Sequence, residues 1–307
     1  MKQKIKYQKV SYVTSKLAEE LMNLSVGDKI LPIDFYQKQF EVSRGTIQNA
    51  FNALKSCGAI TLKSRGVLGS YIEKLDLETL NSFTVDNFIA GAMPLPYSRA
   101  YEGLATGIYE CFKENDIPLS ISYIRGSNNR AKLLVNNHLS FVVTSLAAAK
   151  DLIEQNDALE ILLDFGPNSY LQSHVLVLAN NDNLSSGMKL GVDNNSFDQQ
   201  RISELLVEDI QNIEIVPVSA NQTLLDIASG RIDAGVWNVD EIKERYNDKF
   251  NYVSVEDKVD LKEFTTAAIV VNGINRGING ILKRSIDINK IKMIQRKVKD
   301  GSMMPNY

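Results

Sequence analysis

Two twenty-residue segments, GSNNRAKLLVNNHLSFVVTS at 126–145 and SANQTLLDIASGRIDAGVWN at 219–238, align on each other without gaps. Each follows a strand-like run and reads as a polar turn, a helix and a second strand ending in a polar pair, Thr144-Ser145 in one and Trp237-Asn238 in the other. Units of strand, helix and strand bury their apolar faces as sheets with helices packed against them, so the repeat predicts two similar α/β lobes. The surrounding periodicity agrees. Strands are expected at about 85–91, 119–125, 140–144, 159–165, 174–179, 188–192, 213–218, 233–237 and 265–271. Helices are expected near 99–114, 127–137, 145–155, 198–208, 221–229 and 239–247.

The N-terminal quarter differs in both charge and pattern. Residues 1–74 carry twelve Lys and Arg against six Asp and Glu, whereas the rest of the 307-residue chain carries 22 against 31, so a net charge of −3 hides a basic unit and an acidic one. A polyanion is attracted to the first and repelled by the second, which confines any nucleic-acid contact to the N-terminal unit. Within it, TSKLAEELMNL places Leu17, Leu21 and Leu24 on one helical face behind a Thr14 cap, and Pro32 opens a second short helix that runs to about Phe40. Ser43 is an N-cap worth about 1 kcal/mol over alanine. The helix it caps buries Ile47, Phe51 and Leu54 and leaves Arg44, Thr46, Gln48 and Asn49 near its exposed N-terminal end, where they suit phosphates and base edges. Strands at about 59–63 and 69–73 then flank a turn that presents Lys63 and Arg65. Each of these polar side chains also has a plainer use as a cap, a turn residue or a solvated charge, and the whole head could serve protein contacts.

Composition removes several function classes. No apolar run approaches the ~20 residues of a membrane span, and no apolar signal core follows MKQKIKYQKV, so a cytoplasmic protein without membrane contact is expected. Cys57 and Cys111 stand far apart, and His138 and His174 are the only histidines, which leaves a disulfide framework, a metal site and a Cys-His nucleophile without support. With no clustered catalytic groups and no glycine-rich phosphate loop, neither an enzyme nor a cofactor is expected. The basic C-terminal KIKMIQRKVKDGSMMPNY, with Ile288, Ile291, Met293 and Ile294 among its charges, is simplest as an amphipathic helix.

The stretch VSRGTIQNAFNALKSCGAITLKSRGVLGSYI is similar to the winged helix-turn-helix of GntR-type bacterial transcription regulators. The α/β remainder resembles the type II periplasmic-binding-protein fold used as an effector-sensing domain, and head and body together resemble the YhfZ family of transcription regulators. These resemblances imply an α+β winged helix-turn-helix domain at 1–74, a linker at 75–84 and a two-lobed α/β domain at 85–307. Lobe one would hold 85–168 and 263–307, and lobe two 169–262.

Ligands of open α/β lobes bind at strand C-termini and helix N-termini. Lobe one then offers Ser98, Arg99 and Tyr101, Ser127, Asn128 and Arg130, and Thr144 with Ser145. Lobe two offers Asp193, Ser196, Asn221, Gln222, Trp237 and Asn238. Helix N-termini together with Arg99, Arg125 or Arg130 suit an anionic group, while Asp193 and Trp237 suit a cationic or apolar remainder. The expected protein binds double-stranded DNA as a homodimer under the control of a small-molecule effector. A metabolite-responsive adaptor and an enzyme in the same fold are the competing classes.

Overall fold

The computed structural model describes residues 2–84, 88–180, 183–246 and 249–307, with side chains from Val10 onward. The chain divides into two compact units. One comprises Met1–Ile89, Asn115–Leu119 and Gly273–Ser285, and the other Ala90–Glu114, Ser120–Asn272 and Ile286–Tyr307.

The first unit begins with α1 (Lys2–Met22), α2 (Ile33–Gln39) and α3 (Arg44–Ser56), followed by β1 (Ile60–Ser64), β2 (Ser70–Leu75) and α4 (Leu77–Asn81). Helix α1 starts well before the expected Thr14 cap, because no Gly or Pro interrupts residues 2–13. Thr14 is therefore an interior residue whose hydroxyl donates back to the Val10 carbonyl at 2.8 Å, not a cap. Helix α3 does begin at Ser43, whose Oγ accepts the Thr46 N–H, and its Ile47, Phe51 and Leu54 pack inward. Helix α1, which packs against α3, buries Leu17 and Leu21, and Tyr36 of α2 lies 5.7 Å from the Phe51 ring and 6.0 Å from Phe40. The antiparallel β1–β2 hairpin is widened by a backbone bridge from Lys29 to Tyr71, and Gly66 and Gly69 turn it at φ of 59° and 92°. Helix, turn, helix and wing are all present.

In the second unit the chain runs β3 (Ile89–Met93), α5 (Arg99–Glu114), β4 (Leu119–Tyr123), α6 (Ser127–Val135), β5 (Phe141–Ser145), α7 (Leu146–Gln155) and β6 (Leu159–Asp164). It then builds a second lobe from β7 (His174–Leu178), β8 (Lys189–Val192), α8 (Phe197–Val207), β9 (Glu214–Pro217), α9 (Thr223–Ala228), β10 (Ala234–Asn238), α10 (Val239–Tyr246) and β11 (Asn251–Ser254). Finally it returns through β12 (Ala267–Asn272), contributes α11 (Arg276–Ser285) to the first unit and ends with α12 (Ile288–Lys299). The two sheets are ordered β4-β3-β5-β12-β6 and β9-β8-β10-β7-β11. Numbered within each lobe, both read second, first, third, crossing strand, fourth.

The crossing strands mark where the chain passes between lobes: the first lobe is interrupted between β6 and β12, while the second runs unbroken from β7 to β11. β12 runs antiparallel to β5 and β6 in the first sheet, and β7 runs antiparallel to β10 and β11 in the second. The gapless repeat thus maps onto equivalent helix and strand pairs, α6–β5 and α9–β10. Along β7, Leu176 and Leu178 enter the core on one face while Val175 and Val177 enter the core on the other, the period-two pattern of a sheet covered on both sides. Helix α12 packs along α5 at two glycines: a Cβ on Gly103 would sit 2.8 Å from the Gln295 Cα, and one on Gly107 would sit 2.9 Å from the Ile291 Cα. The C-terminal helix is therefore amphipathic as expected, with Ile291, Ile294 and Val298 buried and Met293 exposed.

Two elements were not anticipated. β11 is short and half exposed, without an apolar run, and α11 carries Gly277 and Gly280, which depress helix propensity. Packing compensates: Gly277 lies so close to α1 that a Cβ would fall 2.4 Å from the Met22 Cβ. The strand expected at 85–91 is observed as Ile89–Met93, residues 85–87 lying outside the described residues.

Candidate functional site

On the head, Arg44, Gln48, Asn49, Lys63 and Arg65 are all exposed. The Ser43 hydroxyl is occupied by the cap and contacts the Thr46 hydroxyl at 2.9 Å, so these two side chains shape the helix start. Arg44 lies 3.3 Å from Asp34 of α2, an exposed pair of the kind worth at most about 1 kcal/mol and readily exchanged for a phosphate. In the wing, the Arg65 guanidinium stacks over the Tyr71 ring at 4.4 Å, and Lys63 faces Glu73 at 3.8 Å. The surface is cationic and its counter-charges are solvent-screened.

The cleft between the two lobes of the second unit is closed by contacts from both sides. Arg125 follows β4; its guanidinium donates to Ser219 and, at 3.1 Å, to Asn221, and lies 3.7 Å from Asp193. Gly126, at φ 80°, comes so near the facing loop that a Cβ would stand 2.6 Å from the Asn195 carbonyl oxygen. The Ser127 hydroxyl accepts the Phe197 N–H at 3.4 Å, and the Ser145 hydroxyl donates to Asp198 at 2.6 Å. Ser145 also caps α7, and Asn238, its equivalent in the repeat, caps α10 by accepting the Asp240 N–H. One sequence pattern thus serves the same local purpose twice.

Behind these contacts lies a cavity of about 110 Å³. Arg130, only 3 % exposed, lines it from α6. Its guanidinium donates to the Ile124 carbonyl at 2.8 Å and to the Thr144 hydroxyl at 3.4 Å, but its Nε has no partner. Opposite, Asp198 in the first turn of α8 is pushed up to about 7 by burial, a shift opposed by the Ser145 hydrogen bond and by the charge of Arg130. Tyr101 and Tyr170 meet edge to face at 5.0 Å, and burial raises both, Tyr170 to about 12.

On the far wall burial pushes Glu241 up to about 7, against the pull of Arg245 at 3.8 Å. The Trp237 indole N–H is turned toward the Glu241 carboxyl and also opposes that rise, yet it stops short of hydrogen-bond geometry and has no partner. His174 is held neutral by burial, its pKa lowered to about 4, and its Nδ1 is unpartnered. Buried donors without a partner and carboxyls raised by burial gather at sites that handle polar groups.

Of the residues singled out from sequence, Tyr101, Ser127, Arg130, Thr144, Asp193, Ser196, Trp237 and Asn238 line the cavity. The other six do not. Ser98 is buried beside the start of α5, and Arg99 is exposed, its backbone N–H donating to Glu244 and its guanidinium reaching the Val298 carbonyl. Asn128 faces a separate outer groove, Ser145 is spent on Asp198 and the α7 cap, Asn221 holds Arg125, and Gln222 is exposed ahead of α9. Asp193 lines the cavity with its carboxylate already satisfied by the Asn195 and Ala220 N–H groups and by Arg125. Sequence reasoning overlooked Tyr170, His174, Asp198 and Glu241. An acid in the first turn of a helix reads as a complement to the helix dipole, and nothing local distinguishes Asp198 from that use.

These observations define a class: a helix-turn-helix domain and a type II periplasmic-binding-protein-like domain in one chain. Residues 25–72 match the family model of a helix-turn-helix domain, and residues 76–307 match the model described as the YhfZ C-terminal domain. The chain belongs to this YhfZ family. It is 29% identical over 300 residues to the protein YhfZ of Escherichia coli (strain K12), covering 98% of each. The crystal structure of YhfZ from Shigella flexneri aligns with a TM-score of 0.61 at 29% identity, over 76% of this chain and 98% of that one. The lobed fold recurs in the periplasmic aliphatic sulphonate binding protein SsuA from Escherichia coli, with a TM-score of 0.53 at 10% identity over 70% of this chain and 74% of that one. It recurs again in the substrate binding protein of a methionine transporter from Streptococcus pneumoniae, with a TM-score of 0.51 at 16% identity over 72% of this chain and 96% of that one.

Proposed function

We propose that this protein is a transcription regulator whose helix-turn-helix head binds operator DNA as a homodimer and whose lobed domain takes a small anionic metabolite as effector. The observation that carries the effector reading is Arg130, a buried guanidinium that lines the cavity with its Nε unpaired. A buried unsatisfied donor costs about 1–3 kcal/mol, more when charged, and an anionic ligand group relieves that cost with a charge-assisted hydrogen bond. The likeness of the head to GntR-type winged helices, the excess of Lys and Arg in residues 1–74 and the exposed Arg44 and Arg65 support the DNA reading. The effector controls DNA affinity only to the extent that it prefers one lobe arrangement over another.

The test is thermal unfolding of the full chain with phosphate, sulfate, acetate, succinate and citrate, and with neutral glycerol and cationic ethylamine beside them. A ligand at a hundred times its Kd stabilises by about 2.7 kcal/mol, which for a domain of this size raises Tm by roughly 5–10 °C. At least one anion should do so in the native chain and none in Arg130→Met. Stabilisation by neutral or cationic compounds alone would overturn the assignment.

A further inference from the structure

Three charged groups of the cavity wall and one just behind it cancel in pairs, and two groups of the wall are left over. Arg125 and Asp193 face each other at 3.7 Å, and Glu241 has Arg245 at 3.8 Å. His174 is neutral. What remains is one cation, Arg130, and one acid, Asp198; among the described residues no carboxylate lies within 4.0 Å of the Arg130 guanidinium, and Ser145 alone donates to Asp198. Both side chains line the same cavity, and no hydrogen bond or ion pair joins them.

Resting on the effector reading above, we propose that the ligand is a small zwitterion, an amino acid or an amino acid analogue, with its anionic group on Arg130 and its ammonium on Asp198. A plain anion would satisfy Arg130 while adding negative charge beside Asp198 and Glu241. A plain amine would do the reverse. Only a molecule bearing both charges leaves every ionised group of the cavity matched, and an ammonium at Asp198 supplies the counter-charge that burial otherwise denies that carboxylate.

Size narrows the class further. An engineered 150 Å³ cavity accommodates benzene, so about 110 Å³ suits a ligand of roughly four to six non-hydrogen atoms with the lobes closed as they are here. The edge-to-face pair Tyr101–Tyr170 and the Trp237 ring provide apolar walls for a short aliphatic part. Because the Ser145 hydroxyl reaches Asp198 from the other lobe, the group that receives the ammonium also holds the lobes together.

Titration calorimetry on the full chain decides it, with glycine, alanine, β-alanine and 4-aminobutyrate each set against its counterpart lacking the amine, from acetate to butyrate, and against ethylamine. One amino acid of the panel should bind at least about tenfold tighter than its carboxylate counterpart, a difference of about 1.4 kcal/mol. Arg130→Met should abolish binding of both, and Asp198→Asn should bring the ratio toward one. The native-chain ratio stands whether or not that variant folds. If a carboxylate binds as tightly as its amino form, the zwitterion is overturned and the anion site survives; if ethylamine alone binds, both fall. If no compound of the panel binds, a zwitterion of this size is overturned, while the broader anion screen still tests the effector site independently.

Discussion

Ser145, at the end of a strand in one lobe, donates a 2.6 Å hydrogen bond to Asp198, in the first turn of a helix in the other, and both side chains are buried. The bond ties the two lobes through a carboxyl whose folded pKa is raised from 3.8 to about 7. A raised folded pKa means that the folded protein holds a proton the unfolded chain has lost, so this contribution to stability is full below about pH 4 and disappears as pH rises through 7. Glu241 has the same sign with a folded value of about 7, and Asp240 and Glu244 share the direction. His174, lowered from 6.5 to about 4, has the opposite sign and loses stability as pH falls through that window. The acids outnumber the histidine. The urea midpoint of the transition reported by the sole tryptophan, Trp237, should therefore fall as pH is raised from 5 to 7.5. Asp198→Asn should flatten that slope by about one proton, and an unchanged slope would show that Asp198 does not titrate in this range.

Helix packing gives a prediction with an internal control. Gly107→Ala would put a Cβ 2.9 Å from the Ile291 Cα, a backbone atom that moves only if α12 shifts, and overpacking of this kind costs about 1–3 kcal/mol. Gly45→Ala, in α3 with nothing within 4 Å of the new Cβ, should instead stabilise the head by up to about 1 kcal/mol through helix propensity. Chemical denaturation of the two variants should show opposite signs. Destabilisation of both would mean that Gly45 has a backbone requirement the structure does not reveal.

The turn between α2 and α3 stores a smaller strain. Glu41 sits at φ 53°, in the left-handed region where an L side chain with a Cβ is disfavoured, and its side chain is exposed. Glu41→Gly or Glu41→Asn should raise the stability of the head by about 0.5–1 kcal/mol, measured as a shift in its denaturation midpoint. A loss of stability would show that Glu41 makes a compensating contact.

Legibility in the sequence followed the physical range of each signal. Helix α3 was readable because Ser43, Ile47, Phe51 and Leu54 encode cap and buried face within a dozen residues, and α6–β5 with α9–β10 because the chain states the same unit twice. Thr14 misled because a good cap residue does not stop a helix that has no breaker before it. In the cleft, Arg130 and Thr144 could be placed from the strand-end rule alone. Tyr170 and His174 could not, since they belong to the segment that crosses between lobes, and its position depends on strand pairing between distant parts of the chain. Arg99 looked equivalent to Arg130 on charge but faces the end of α12, a packing that charge does not encode.

The central claim is that the basic head reads DNA, and fluorescence anisotropy of the full chain on duplexes selected by it from a random pool tests this most directly. The selected sequence should bind at least about 10³-fold tighter than its scrambled form, with affinity falling steeply as salt is raised. Arg44→Ala should cost about 1–3 kcal/mol of that affinity, and Arg65→Ala should weaken selected and scrambled duplexes alike. Equal binding to selected and scrambled duplexes, with no effect of Arg44→Ala, would contradict the account.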